Sequence, residues 1–128
     1  MENRSSVLLI FTGGTISMGE NSSNHSLAPL DTKQVLSFIP ELQMLNVNIA
    51  SVSFSPLIDS SDIQPSNWIE IGHHIETHYN NFDGFVVLHG TDTMAYSAAA
   101  LSFMLDGLRK PVIFTGSPLP VGVLCSDA

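Results

Sequence analysis

Apolar and polar positions fall in blocks along this chain, and each apolar block has the length and period of one structural element. Val7 to Phe11 and Phe85 to Leu88 are unbroken apolar runs, the pattern of a strand covered on both faces. Val112 to Phe114 repeats it in brief. Val47 to Phe54 instead alternates apolar with polar residues, which predicts a more exposed strand. Between the strands the period lengthens to that of a helix. Val35, Leu36 and Ile39 mark one helix, with Asp31 as its N-cap and Pro40 at its end. Ser66 to Tyr79 is a second, with Trp68, Ile71 and Ile75 on one face. Met94 to Leu108 is a third, supported by Ala98, Ala99 and Ala100, with Gly107 near its end.

The resulting order is strand, helix, strand, helix, strand, helix, strand. It predicts an α/β fold: a doubly wound, mostly parallel sheet with helices on both faces and right-handed crossovers. Such a sheet puts every strand's carboxyl end on one edge, where open α/β sheets bind their ligands. Each strand in fact runs into a polar cluster. Val7 to Phe11 breaks into Thr12-Gly13-Gly14-Thr15-Ile16-Ser17, the second strand into Asp59-Ser60-Ser61-Asp62, Phe85 to Leu88 into His89-Gly90-Thr91-Asp92-Thr93, and the last into Thr115-Gly116-Ser117.

Paired glycines let the first loop turn sharply and approach a ligand closely, so Thr15 can be presented there. Thr91 and Asp92 sit where a strand ends and a helix begins, and free N–H groups at that point favour an anionic substrate group. Threonine and glycine are also ordinary turn formers, and Asp62 or Ser66 is a good cap for the following helix. His89 is read as supporting the Thr91 turn by hydrogen bonding rather than as a base. His74 and His78 are four apart on a helix, but Glu76 falls midway and no third ligand is apparent, so a solvated helical face is expected rather than a metal site.

Composition narrows the class. The chain has 128 residues, 44% hydrophobic and only 12% charged, one domain's worth with a sizeable core. A formal net charge of -8 argues against a nucleic-acid or anionic-membrane partner. The apolar run behind Arg4 is too short for a signal-peptide core, and no stretch approaches a membrane span of about 20 residues. A single cysteine, Cys125, excludes an internal disulfide and fits a reducing compartment, so a cytoplasmic location is expected. From Gly19 to Pro29 the chain turns polar and reads as a flexible connection.

Thr12-Gly13-Gly14-Thr15-Ile16 and His89-Gly90-Thr91-Asp92-Thr93 resemble the two signature motifs of the bacterial-type L-asparaginases, and Asp59-Ser60-Ser61-Asp62 with Trp68 resembles the same family between them. The resemblance runs from about Val7 to the last residue, and Thr93-Met94-Ala95-Tyr96 after the third motif brings it nearest the cytoplasmic type I branch. It implies an amidohydrolase that converts L-asparagine to L-aspartate and ammonia through a threonine acyl-enzyme. Thr15 would be the nucleophile, Thr91 the second catalytic threonine, and Asp92 the carboxylate that holds the substrate's α-ammonium. Ser60 would bind the α-carboxylate, with Gly14, Asp59, Ser61 and Asp62 shaping the pocket. No cofactor and no metal is implied, and the full-length form would be a homo-oligomer, a dimer or a tetramer.

By the same resemblance, residues 1–128 would be the N-terminal asparaginase-like domain, incomplete, without the smaller C-terminal domain. The lysine that the family pairs with the second threonine is not matched by Lys33 or Lys110. Where the family usually has glutamine and arginine, this chain has Pro118 and Cys125. Two other readings stand beside the enzyme. One is a truncated form that keeps an amino-acid pocket without turnover. The other is a nucleotide-binding doubly wound domain, although neither Gly-x-Gly-x-x-Gly nor Gly-Lys-Ser/Thr occurs at the first turn.

Overall fold

The computed structural model describes residues 4–20, 27–121 and 126–127. The polar run Asn21 to Ser26 and the cysteine at 125 lie outside the described residues. Four strands form one parallel sheet: β1 (Ser5–Gly13), β4 (Val47–Ile58), β5 (Gly84–Leu88) and β6 (Val112–Thr115), in the spatial order β4-β1-β5-β6. β1 is the hub, with Ser5 to Phe11 paired to Val47 to Ser53 on one side and Val7 to Phe11 paired to Gly84 to Leu88 on the other. The chain thus leaves β1 for one neighbour and later returns to the other side, which creates a switch point between β1 and β5.

Strand alternation divides the core in two. Leu8, Ile10, Phe85 and Val87 face α3 (Pro65–His78) and α4 (Met94–Met104), packing with Phe54, Ile71, Ile75 and Leu101. Leu9, Phe11 and Leu88 face the opposite side, with Ile16, Leu30, Val121 and Val35 of α1 (Thr32–Phe38). Each such side chain, fully buried, contributes about 1.5–3 kcal/mol. Helices therefore cover both faces, as the sequence predicts. Trp68 Nε1 donates to Ser97 Oγ at 2.9 Å and ties α3 to α4.

Several details differ from the sequence expectations. Met18–Glu20 (β2) and Leu27–Pro29 (β3) pair as an antiparallel ribbon, so the ends of the expected flexible connection are held by backbone hydrogen bonds. A short helix α2 (Glu41–Met44) follows Pro40 directly. β4 extends beyond Phe54 to Ile58, because its register shifts and Gly13 pairs with Ile58. α3 is capped by neither Asp62 nor Ser66. Gln64 is the N-cap, exchanging bonds with Asn67 in a capping box ahead of Pro65, while Asp62 closes a separate 3-10 turn, Ser60–Asp62. α4 stops at Met104, four residues early, where the chain turns through Gly107 at φ 69.

The amino edge of the sheet is structural. Asp83 accepts from Ser6 N and Oγ at 2.8 and 3.0 Å. Lys110 Nζ donates to the carbonyls of Tyr79 and Phe82, satisfying acceptors where α3 ends. His74 and His78 stand in an aromatic row from Phe54 to Phe82, their own rings 6.3 Å apart. His78 Nδ1 bonds the His74 carbonyl at 2.8 Å, and both rings are half-buried on a helix whose His73, Glu76 and Thr77 are exposed.

Candidate active site

At the carboxyl edge the four strand-end loops converge on one cavity of about 250 Å3, lined by Gly14, Thr15, Asp59, Ser60, Gly90, Thr91, Asp92, Ser117 and Pro118. That is smaller than the roughly 300–1,000 Å3 of drug-sized sites, a size suited to a small polar metabolite. It lies at the switch point, between the loops after β1 and β5.

Close backbone contact builds it. Gly14 sits at φ 75, and a Cβ there would lie 2.5 Å from the Gly90 Cα. A Cβ on Gly90 would in turn lie 2.5 Å from Ser60 Oγ. Glycine at both positions is what lets the three loops touch. Hydrogen bonds lock the arrangement from behind. Thr12 Oγ1 donates to the Leu88 carbonyl at 2.9 Å, Ser17 Oγ to the Gly13 carbonyl at 2.7 Å, and Thr93 Oγ1 to the Ser60 carbonyl at 2.6 Å. Thr93 is the N-cap residue of α4, yet its side chain makes no cap bond, because its hydroxyl is spent on the Ser60 carbonyl.

The chemistry of the lining is two-sided. Thr15, Ser60 and Thr91 offer hydroxyls, while Asp59 and Asp92 offer carboxylates on the exposed rim. Asp59 accepts from Ser61 N at 2.9 Å and Ser61 Oγ at 2.7 Å, and these bonds, the backbone one first, hold its carboxyl below the usual carboxylate range. A group that presents oxygens at one end and an ammonium at the other meets complementary partners here.

Of the residues singled out in the sequence, Gly14, Thr15, Asp59, Ser60, Thr91 and Asp92 are brought together in this lining. Ser61 and Asp62 are not; Ser61 bears on the cavity through Asp59. Gly90, Ser117 and Pro118 line it as well; the sequence marks Ser117 only as part of a polar cluster after a strand, and Pro118 only as a departure from the family's usual glutamine. Neither lysine reaches the cavity, and among the described residues no group of three His, Cys, Asp or Glu could hold a metal.

His89 lies wholly inside, behind the Thr91 loop, with its ring 6.0 Å from that of Phe114. Its Nδ1 is 2.7 Å from the Gly90 carbonyl. Burial lowers its pKa below the ordinary 6.5, against the smaller opposing effect of that bond, and burial likewise lowers that of His74, with Glu70 opposing. An unfolded chain therefore binds protons at these two sites that the folded chain refuses. Stability is expected to be at its full value above about pH 6.5 and to fall as pH drops from there toward the folded-state pKa values. Melting temperatures measured between about pH 8 and pH 5 check this, and a His74→Phe variant should show a shallower decline than wild type.

The residues match the family model "Asparaginase, N-terminal" over 6–128. The chain is 43% identical over 125 residues to L-asparaginase 1 of Escherichia coli K12, covering 97% of this chain and 37% of the relative. The structure of L-asparaginase I from Vibrio cholerae superposes with a TM-score of 0.84 at 42% identity, covering 98% of this chain and 38% of that one. The thermostable L-asparaginase from Thermococcus kodakarensis superposes with a TM-score of 0.83 at 35% identity, over 95% and 37%. The chain thus spans under two fifths of the length of these relatives. The doubly wound fold, the loops that meet at its switch point and the match along nearly the whole chain place it in the asparaginase N-terminal family.

Proposed function

We propose that this chain carries the nucleophile side of an L-asparagine amidohydrolase active site. The observation that supports it most is the meeting of Thr15, Thr91, Ser60, Asp59 and Asp92 in one small cavity. In this reading Asp92 and Asp59 receive the substrate's α-ammonium, and Ser60 and Gly14 hold the α-carboxylate. The Thr15 hydroxyl attacks the side-chain amide, the tetrahedral intermediate expels ammonia, and water hydrolyses the resulting ester to L-aspartate. Thr91 stands across from Thr15 as the second hydroxyl, passing protons to and from the reacting atoms. A threonine hydroxyl needs a base to act, and the lysine that the resemblance implies for this task is not in the lining. The protein is further proposed to work in the cytoplasm as part of a homo-oligomer.

A second reading, an amino-acid-binding chain without turnover, uses the same lining. Asparagine-dependent ammonia release, measured beside L-aspartate binding by calorimetry, separates the two. Release with Thr91→Ala lowering kcat at least about a hundredfold supports the enzyme. Binding without release supports the second reading. Neither binding nor release removes both, and a Thr91→Ala chain of unchanged fold and intact turnover removes the role given to Thr91.

A further inference from the structure

We infer that His89 is a positioning residue: its imidazole clamps the Gly90–Thr91 peptide so that the Thr91 N–H is offered to a ligand oxygen in the cavity. The consequence for turnover rests on the function proposed above; the clamp itself does not.

His89 is 0% exposed, and its Nε2 is a buried nitrogen with no hydrogen-bond partner among the described residues. A phenylalanine or leucine would fill the same space without an unsatisfied group. What the histidine adds is a donor at Nδ1. The Gly90 carbonyl can only accept, and the imidazole is held neutral by burial, so its one proton must sit on Nδ1, 2.7 Å from that oxygen. The other tautomer would aim a lone pair at the carbonyl oxygen. The bare Nε2 is the consequence of this fixed choice.

The fixed carbonyl determines where the next N–H points. The described chain has one cis peptide, Ser55–Pro56, so the Gly90–Thr91 unit is trans, with C=O and N–H directed oppositely. Its carbonyl faces His89, which is not in the cavity lining, whereas Gly90 and Thr91 both are. The Thr91 N–H therefore leaves the peptide on the cavity side. No described residue accepts it. Were the peptide to flip, an acceptor would replace that donor, beside Asp59 and Asp92, where an oxygen-bearing ligand gains nothing from it.

Two substitutions pull packing and positioning apart. His89→Phe keeps the ring volume but removes the donor. His89→Asn leaves space behind it, yet its side-chain amide can put an N–H near the place of Nδ1. The clamp predicts that the phenylalanine variant is the more stable and the less able, with L-aspartate affinity and kcat reduced about tenfold or more, while the asparagine variant stays within about threefold of wild type despite a lower melting temperature. A purely structural histidine would give the reverse order, function following stability, and that result overturns the clamp. If the wild-type chain neither binds L-aspartate nor releases ammonia, the proposed function fails, and nitrogen NMR decides the clamp alone. At neutral pH the His89 proton should be on Nδ1, and the Thr91 amide resonance should move in His89→Phe more than in His89→Asn. A proton on Nε2, or a Thr91 amide indifferent to the phenylalanine, overturns it.

Discussion

Thr15→Val is expected to lower asparagine-dependent ammonia release at least about a thousandfold while the chain still binds L-aspartate. Valine keeps the branched shape of threonine and replaces only the hydroxyl. No described residue bonds the Thr15 hydroxyl, so nothing buried is left without a partner when it goes. The backbone of the 3-10 turn Thr15–Ser17 is closed by Ser17 N donating to the Gly14 carbonyl at 3.1 Å, and that bond is untouched by the change. Loss of turnover with binding and melting temperature preserved is thus the signature of a missing nucleophile rather than of a damaged site. Residual turnover above about a tenth of wild type would move the nucleophile elsewhere, with Thr91 the next hydroxyl to examine.

Gly14→Ala should have the largest effect on the fold of the site itself. At φ 75 and ψ 168 the backbone occupies a region that is essentially glycine's own, at a cost of about 1–3 kcal/mol for another residue. The added methyl would also meet backbone rather than a yielding side chain, 2.5 Å from the Gly90 Cα and 2.6 Å from its nitrogen. The loops after β1 and β5 must then part. A total loss of about 3 kcal/mol or more is expected, read as a fall in melting temperature of roughly 10 °C or more, together with loss of L-aspartate binding. Gly107 supplies the control. It too has positive φ, 69, but a Cβ there meets nothing within 4 Å, so Gly107→Ala should cost only the backbone strain of about 1–2 kcal/mol. Equal losses for the two would show that the contact between loops contributes nothing.

How legible this molecule is in its sequence varies with the kind of feature. Phe85 to Leu88 and Val7 to Phe11 announce themselves because both of their faces are covered, so the pattern needs no knowledge of neighbours. The end of β4 did not, since Pro56 interrupts the alternation and Ile58 is recruited only through the shifted pairing with Gly13. Asp62 looks like a helix cap as much as Gln64 does; a 3-10 turn claiming Asp62 first decides between them, and that turn depends on tertiary contacts. The same limit applies within the site. Ser60 and Ser61 are chemically equal neighbours, yet Ser60 is buried beneath Gly90 and Ser61 is exposed beside Asp59. His89 was legible as a support for its turn, but the unpartnered Nε2 that exposes its tautomer is a property of packing. The doubly wound order already put these loops on one edge of the sheet, and the likeness to one family supplied what spacing could not, the part each residue is expected to play.

The position of β1 at the centre of the sheet also governs how the chain must assemble as it is made. Its first partner, beginning with Val47 opposite Ser5, is synthesised only after the segments at 18–20, 27–29 and 32–44, and its second, Gly84 to Leu88, later still. Strand pairing at such separation waits on loop closure, so the earliest made of these four strands is among the last to have both edges filled. Until Leu88 has emerged, Leu8, Ile10 and Phe11 belong to an open edge that any extended chain can pair with. Growing chains halted before Gly84 should therefore bind chaperones and aggregate more than chains halted after Thr115, a vulnerability set by topology rather than by the stability of the finished fold.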